Sequence, residues 1–289
     1  MKTVQTTLLL LCPALCLLGC GGGLSSEADV ANATGDAMAN LDEASIGSSL
    51  ASRELPLMQL PSFLKPDLKH QVLDALFPSA YAASCWIAPF SACANGVESR
   101  TFSSCNIGPY SLDGTVSLTF SDTTCAMDAA QDSVTRMGNF TVTGFAGGSL
   151  VVSSPGGGQE LIDNGGGSFS YSVPGMERVA TAPDGKELFD ISSDTSSPIG
   201  VSGLTRATRV VNGGTLVITH NILKYTASLT PENLTWASTC NCPVAGTWTG
   251  SLSGSRTGSY SLELTGCGTA ELTVGTASES VELDRCGAL

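Results

Sequence analysis

The chain has 289 residues and carries 13 Lys and Arg against 26 Asp and Glu, a formal net charge of −13. That length is enough for one large domain or two small ones. The acid excess is repelled by nucleic acid and by anionic lipid surfaces, which excludes both as charge-driven partners, and it reads as solubility rather than as an acidic binding function.

In chain order the first feature is Lys2, then apolar runs over residues 8–11 and 14–18 around Pro13, closing on Leu17-Leu18-Gly19-Cys20. The run has the length and composition of a secretory h-region. It is too short for a membrane span, which needs about 20 apolar residues. The four closing residues resemble the lipobox of bacterial lipoproteins, in which the cysteine sulfur receives diacylglycerol and the peptide is cut just before it. The resemblance implies a signal peptide over residues 1–19 and a lipid anchor at Cys20 carrying fatty-acyl chains such as palmitate. Acyl chains contribute about 0.8 kcal/mol per buried methylene, so several on one residue hold a protein to a bilayer without a spanning helix. In that family an Asp after the cysteine marks inner-membrane retention. Gly21 stands there instead, which implies the outer membrane, with the body facing the periplasm or the surface. The alternative is an ordinary signal peptide cut elsewhere, with Cys20 a free thiol.

Residues 20–65 are rich in Ser, Ala, Gly and acids with little sustained apolar period, and read as a flexible acidic tether with a transient helix near residues 28–41. Over residues 66–83 a short amphipathic helix and a connector follow. Leu68, Val72, Leu73, Leu76 and Phe77 recur at helical spacing, and Pro66 and Asp67 suit a first turn.

Residues 84–289 read as an antiparallel β domain. Val116, Leu118 and Phe120 share one face, as do Phe169, Tyr171 and Val173, then Leu216 and Ile218, then Leu223, Tyr225, Ala227 and Leu229. Tyr260, Leu262 and Leu264 precede Ala270, Leu272 and Val274, and then Val281 and Leu283. Ser, Thr, Glu and Lys fill most positions between, as on strands with one dry and one wet face. Asp113-Gly114, Asp184-Gly185 and Asn212-Gly213-Gly214 read as turns, the first with a two-residue type I′ signature. The fold class expected is all-β, as a meander, sandwich or open barrel, disulfide-braced, with the short N-terminal amphipathic helix. Glycines at 147–148, 156–158 and 165–167 read as loop tips, since no phosphate-loop Lys follows them.

Of the chain's 11 cysteines, Cys12 and Cys16 lie in the signal and Cys20 is the lipid site, leaving Cys85, Cys93, Cys105, Cys125, Cys240, Cys242, Cys267 and Cys286. An even set in an exported chain points to disulfides. The cysteines form two clusters, 85–125 and 240–286, so bridges within each cluster are expected. Cys105 to Cys125 and Cys242 to Cys267 are the favoured pairs, with Cys240 able to take the place of Cys242 at little change in reach, and Cys85 with Cys93 and Cys286 with the remaining cysteine of Cys240-Asn241-Cys242 follow by elimination. Zinc is the rival at Cys240-Asn241-Cys242, but that pair lacks the usual spacing of zinc ligands. A weak internal repeat relates residues 114–120 ahead of Cys125 to residues 258–264 ahead of Cys267, and suggests two disulfide-closed hairpins.

For chemistry the chain offers two histidines, His70 and His220, and no G-x-S-x-G elbow. His220 reads as an exposed turn residue. Asp184, Glu187, Asp190 and Asp194 match no calcium loop and read as a solvated hairpin. Trp86, Trp236 and Trp248 could stack sugars, but Trp248 alternates with Gly250 and Leu252 as a core residue would. No catalytic residue, cofactor or metal site is expected. The functional expectation is a lipid-anchored outer-membrane protein whose β domain is structural, adhesive or ligand-binding. Its partners are the membrane, through Cys20, and a protein or glycan, with no nucleic acid. The rival readings are an extracytoplasmic hydrolase using His220 and a membrane-inserted β-barrel.

Overall fold

The computed structural model describes residues 25–39, 91–107, 110–144, 147–283 and 286. The amphipathic helix and connector expected over 66–83, with His70, therefore lie outside the described residues, as do Cys20, Cys85 and Trp86. One helix, α1 (Ser25–Ala39), precedes fourteen strands in a single sheet. They are β1 (Val97–Ile107), β2 (Tyr110–Phe120), β3 (Ser133–Thr143), β4 (Ser149–Gly165), β5 (Ser168–Thr181), β6 (Glu187–Ser197) and β7 (Ile199–Ser202). The second half holds β8 (Val210–Asn212), β9 (Thr215–His220), β10 (Tyr225–Trp236), β11 (Pro243–Gly254), β12 (Gly258–Gly266), β13 (Thr269–Val274) and β14 (Ala277–Glu282). The order is β1-β2-β3-β4-β5-β6-β9-β10-β11-β12-β13-β14, antiparallel throughout. The short β7 and β8 bridge β5 to β10 where β6 and β9 do not reach. The protein is thus an all-β meander. Among the described residues β1 pairs only with β2 and β14 only with β13, so the sheet is open.

The alternation read from sequence sets the two faces. On β2, Leu112, Val116, Leu118 and Phe120 are buried while Asp113, Thr115 and Thr119 are exposed. Phe169, Tyr171 and Val173, Leu216 and Ile218, Tyr225, Ala227 and Leu229, and Tyr260, Leu262 and Leu264 are buried in the same way. Leu223 departs from its expected run, because it stands in the turn between β9 and β10 and is exposed.

The buried face closes on α1. The helix anticipated near residues 28–41 belongs to the core: Val30, Ala31, Ala33, Ala37 and Met38 are buried among sheet residues. The Tyr171 hydroxyl of β5 donates to the Ala37 carbonyl at 2.9 Å, whereas Gly35 lies against Leu283 and Cys286 beyond β14. Seven strand spacings separate β5 from β14, roughly 34 Å in a flat sheet at about 4.8 Å each. A helix about 10 Å across touches both only if the sheet curls around it. The small side chains of α1 permit that enclosure. Ala37 is among the last four helical residues, whose carbonyls lack intrahelical donors, so Tyr171 satisfies a group that burial would otherwise orphan.

Two turn expectations hold and one fails. Asp184-Gly185 lies in the β5–β6 turn, where the Asp184 carboxylate accepts the Lys186 N–H at 3.0 Å. Asn212-Gly213-Gly214 joins β8 to β9 with both glycines at positive φ. Asp113-Gly114, by contrast, sits inside β2: Ile107 faces Tyr110, so the reversal falls earlier. The dipeptide serves a bulge in β1 between Phe102 and Cys105, where Asp113 accepts the Ser104 N–H at 2.5 Å. A Cβ at Gly114 would meet the Asn139 carbonyl of β3 at 2.3 Å, so the close strand approach demands glycine. The glycines at 156–158 are likewise not a loop tip. They lie within β4 where its register against β5 shifts, and a Cβ at Gly156 would fall 1.9 Å from the Pro174 carbonyl.

The displaced turn also corrects the disulfides. With Val97 facing Thr119, Cys105 lies opposite Leu112, and the residue brought near Cys125 is Cys93. The bridges are Cys93–Cys125, Cys240–Cys267 and Cys242–Cys286, with Cα separations of 6.0, 5.7 and 5.3 Å. Cys105 to Cys125, Cys85 with Cys93 and Cys242 to Cys267 are therefore not the pairs formed; Cys240 takes the place of Cys242 opposite Cys267, and Cys242 is the remaining cysteine that pairs with Cys286. Cys105 is also disulfide-bonded. The three described bridges stay within the two clusters. The internal repeat survives in another form: Cys93–Cys125 closes the β1–β2 hairpin and Cys240–Cys267 closes β11–β12, each at the end away from its turn. Replacing Cys240 and Cys267 together by Ser should lower unfolding stability by about 3 kcal/mol, read from chemical denaturation under non-reducing conditions.

Candidate functional site

The described chemistry concentrates where the first turn of α1 meets one rim of the sheet, formed by the β9–β10 and β11–β12 turns. Tyr225, the first residue of β10, donates its hydroxyl to the Ser26 carbonyl at 2.6 Å. Glu27 is 1% exposed and forms an ion pair with Arg256 in the β11–β12 turn, while Ser26 Oγ donates to its other oxygen at 2.6 Å. Two partners and the positive end of the helix dipole make that buried carboxylate tolerable. Asp29, one position after Ala28, places Oδ2 3.5 Å from His220 Nε2.

His220 is only 2% exposed, which corrects its reading as an exposed turn residue. It ends β9 with its ring 5.3 Å from Tyr225, and strand alternation turns it inward with Leu216 and Ile218. Its Nδ1 accepts the Leu223 N–H at 3.4 Å, and its Nε2 faces Asp29. A hydrolytic triad needs one imidazole nitrogen on an acid and the other on a serine hydroxyl. Here the second nitrogen is taken by backbone, so the arrangement clasps α1 to the sheet.

Tyr260 of β12 completes the cluster. Its hydroxyl is buried with no hydrogen-bond partner among the described residues. Burial, then the neighbouring Tyr225 and Glu27, push its phenol well above the ordinary range. Tyr225 is raised in the same direction by burial, Glu27 and Asp29, against which its bond to Ser26 and the Arg256 charge work.

The other candidates fall elsewhere. Asp184, Glu187 and Asp194 are exposed and Asp190 is half-buried, accepting from Asn221 Nδ2 at 2.8 Å, in keeping with a solvated hairpin. Trp248 is a core residue at 1% exposure, and Trp236 is buried with the Arg209 guanidinium over its ring at 5.5 Å. Cys240 and Cys242 are both consumed by disulfides, so the C-x-C pair has no thiolate to offer zinc. Among the described residues no group of three or more His, Cys, Asp and Glu could hold a metal.

Sequence reading missed the inward charges. Glu98 and Arg100 on β1 and Arg136 on β3 are buried on the concave face, as is Arg209, and none is unpartnered. Burial lowers the Arg100 guanidinium, which lies 5.1 Å from the Phe102 ring. For Glu98, Arg100 and Arg136 the sequence signal was present, since each occupies the apolar parity of its strand; Arg209 precedes β8 and has no such signal. Sequence reading also missed Glu27, Asp29 and Arg256, because pairs whose partners lie so far apart in the chain leave no local pattern.

No family model, curated protein or solved structure matches the chain.

The raised phenols make a pH prediction. In the unfolded chain both tyrosines ionise near the ordinary value of 10.0, whereas the folded protein holds them neutral. Their contribution to stability is therefore complete below that pH and is lost as pH rises beyond it. Phenolate absorbance should show two tyrosines that ionise only on unfolding. Replacing both Tyr225 and Tyr260 by Phe should flatten the alkaline fall in stability, with Tyr260→Phe alone nearly neutral at pH 7 because its hydroxyl has no partner to lose.

Proposed function

We propose that the chain is an outer-membrane lipoprotein, anchored by acyl chains on Cys20, whose β domain acts without catalysis as a structural, adhesive or ligand-binding module. The observation that carries this reading is the placement of α1. The helix begins five residues after Cys20 and is built into the core, so an anchor at the lipobox cysteine would hold the folded domain itself. Because α1 fills the concave face, a protein or glycan partner would be met by the rims and the outer face of the sheet.

The His220 geometry supports the non-catalytic reading over a hydrolase, since both imidazole nitrogens are engaged with Asp29 and the Leu223 N–H. The face pattern weighs against a membrane-inserted barrel. Such barrels are apolar outside and polar within. This sheet buries Leu118, Tyr171 and Leu262 inside and exposes Thr115, Thr119 and Glu263 outside.

Metabolic labelling with a fatty-acid probe should mark the wild-type protein and leave Cys20→Ser unmarked. Equal labelling of both would overturn the anchor. A hydrolytic activity lost on His220→Ala, with the fold retained, would overturn the non-catalytic assignment.

A further inference from the structure

The two rims of the sheet differ in a way that bears on the anchor. The rim at the first turn of α1 carries the turns after β5, β9 and β11. The opposite rim carries all three described disulfides and the aspartates 122, 128, 132 and 163. Of the six exposed large hydrophobic side chains among the described residues, Leu188, Ile222 and Leu223 stand at the α1 rim. Ile222 and Leu223 are adjacent in the β9–β10 turn at 38% exposure each, and Leu188 is the second residue of β6, two residues before the Asp190 that holds Asn221 of that turn. Both lysines among the described residues, Lys186 and Lys224, lie in turns of the same rim.

Chain length fixes where this rim would lie. Ser25 is the fifth residue after Cys20, a reach of at most about 18 Å even fully extended. Ser26 is hydrogen-bonded to Tyr225, and Leu223 is two residues from Tyr225. An acylated Cys20 therefore holds the β9–β10 turn nearer the bilayer than the opposite rim, which carries the described disulfides.

We infer that the Ile222-Leu223 turn, with Leu188 beside it, is a membrane-docking surface that enters the headgroup boundary of the same leaflet that holds the acyl chains of Cys20. This rests on the proposed anchor. Asp184 and Glu187 stand beside Lys186 on this rim, so the contact is made by apolar side chains, with the lysines spanning to headgroups, rather than by net charge. The docked domain would then present its disulfide-stapled end to whatever it meets.

The test uses the lipidated mature chain in phosphatidylethanolamine–phosphatidylglycerol vesicles containing brominated acyl chains, with Leu223→Trp compared with Leu204→Trp. Leu204 is 55% exposed on the opposite rim, packed near Gly167, and serves as the control. Quenching of the added indole should be several-fold greater for Leu223→Trp. Hydrogen exchange on the unsubstituted lipidated protein gives a second reading: amides of residues 221–224 should gain protection on vesicles relative to detergent. Absence of diacylglycerol on Cys20 in the mass spectrum would overturn the anchor and this proposal with it. An acylated Cys20 with equal quenching at the two rims and no added protection would overturn the docking surface alone. Protection of residues 221–224 that grows with protein concentration in the soluble Cys20→Ser chain would assign the patch to a second copy, and would likewise overturn it.

Discussion

The structure depends on covering one face of one sheet. The described strands present Leu, Val, Ile and aromatic side chains on their concave side, and such a face is stable in water only when something apolar lies on it. Burying a large apolar side chain contributes roughly 1.5–3 kcal/mol, and the concave face holds dozens of them. α1 supplies the cover. Its narrow, Ala-rich body lets the sheet wrap around it, and its ends are fixed by Tyr225 to Ser26 and by Tyr171 to Ala37. Curvature, core and the position of the N-terminal segment thus follow from one packing event.

The two ends of that assembly are held by different forces. At the C-terminal end of α1 the fixation is covalent nearby, where Cys240–Cys267 and Cys242–Cys286 tie β11, β12 and the chain beyond β14 together, and the Cys242 sulfur lies 4.0 Å from the Gly35 carbonyl. At the N-terminal end the fixation is polar, through Glu27 with Arg256 and Asp29 with His220. Covalent staples constrain the unfolded chain whatever the solvent. Ion pairs and hydrogen-bonded phenols respond to pH and salt, so the end nearer Cys20 is the more responsive of the two.

The inward charges explain why the concave face is not uniformly apolar. Arg100, Arg178 and Arg209 lie over Phe102, Phe189 and Trp236, respectively, so each guanidinium carbon stands above an aromatic ring. Arg is weakly hydrated among cations and stacks well, which lowers the cost of placing it there. Gln159 adds a neutral link, donating to the Tyr171 hydroxyl at 2.9 Å, so that one buried tyrosine joins β4, β5 and α1.

Strand identity was legible in the sequence because a half-buried strand repeats every two residues, and runs such as 116-118-120 and 260-262-264 leave few other conformations open. The presence of disulfides and the grouping of the described bridges into two clusters were legible because they depend on local cysteine density. What the tertiary structure alone decided are the long-range partners. Asp113-Gly114 has the composition of a type I′ turn, but the strand beside it requires glycine for close approach and uses the aspartate to satisfy a bulge, which moves the reversal and passes the bond of Cys125 from Cys105 to Cys93. The acidic, small-residue segment 25–39 looks like tether because no residue in it announces a core. Its burial is dictated by a concave surface assembled from strands that begin well beyond it in the chain, and a pairing such as Asp29 with His220 exists only once that surface has curled.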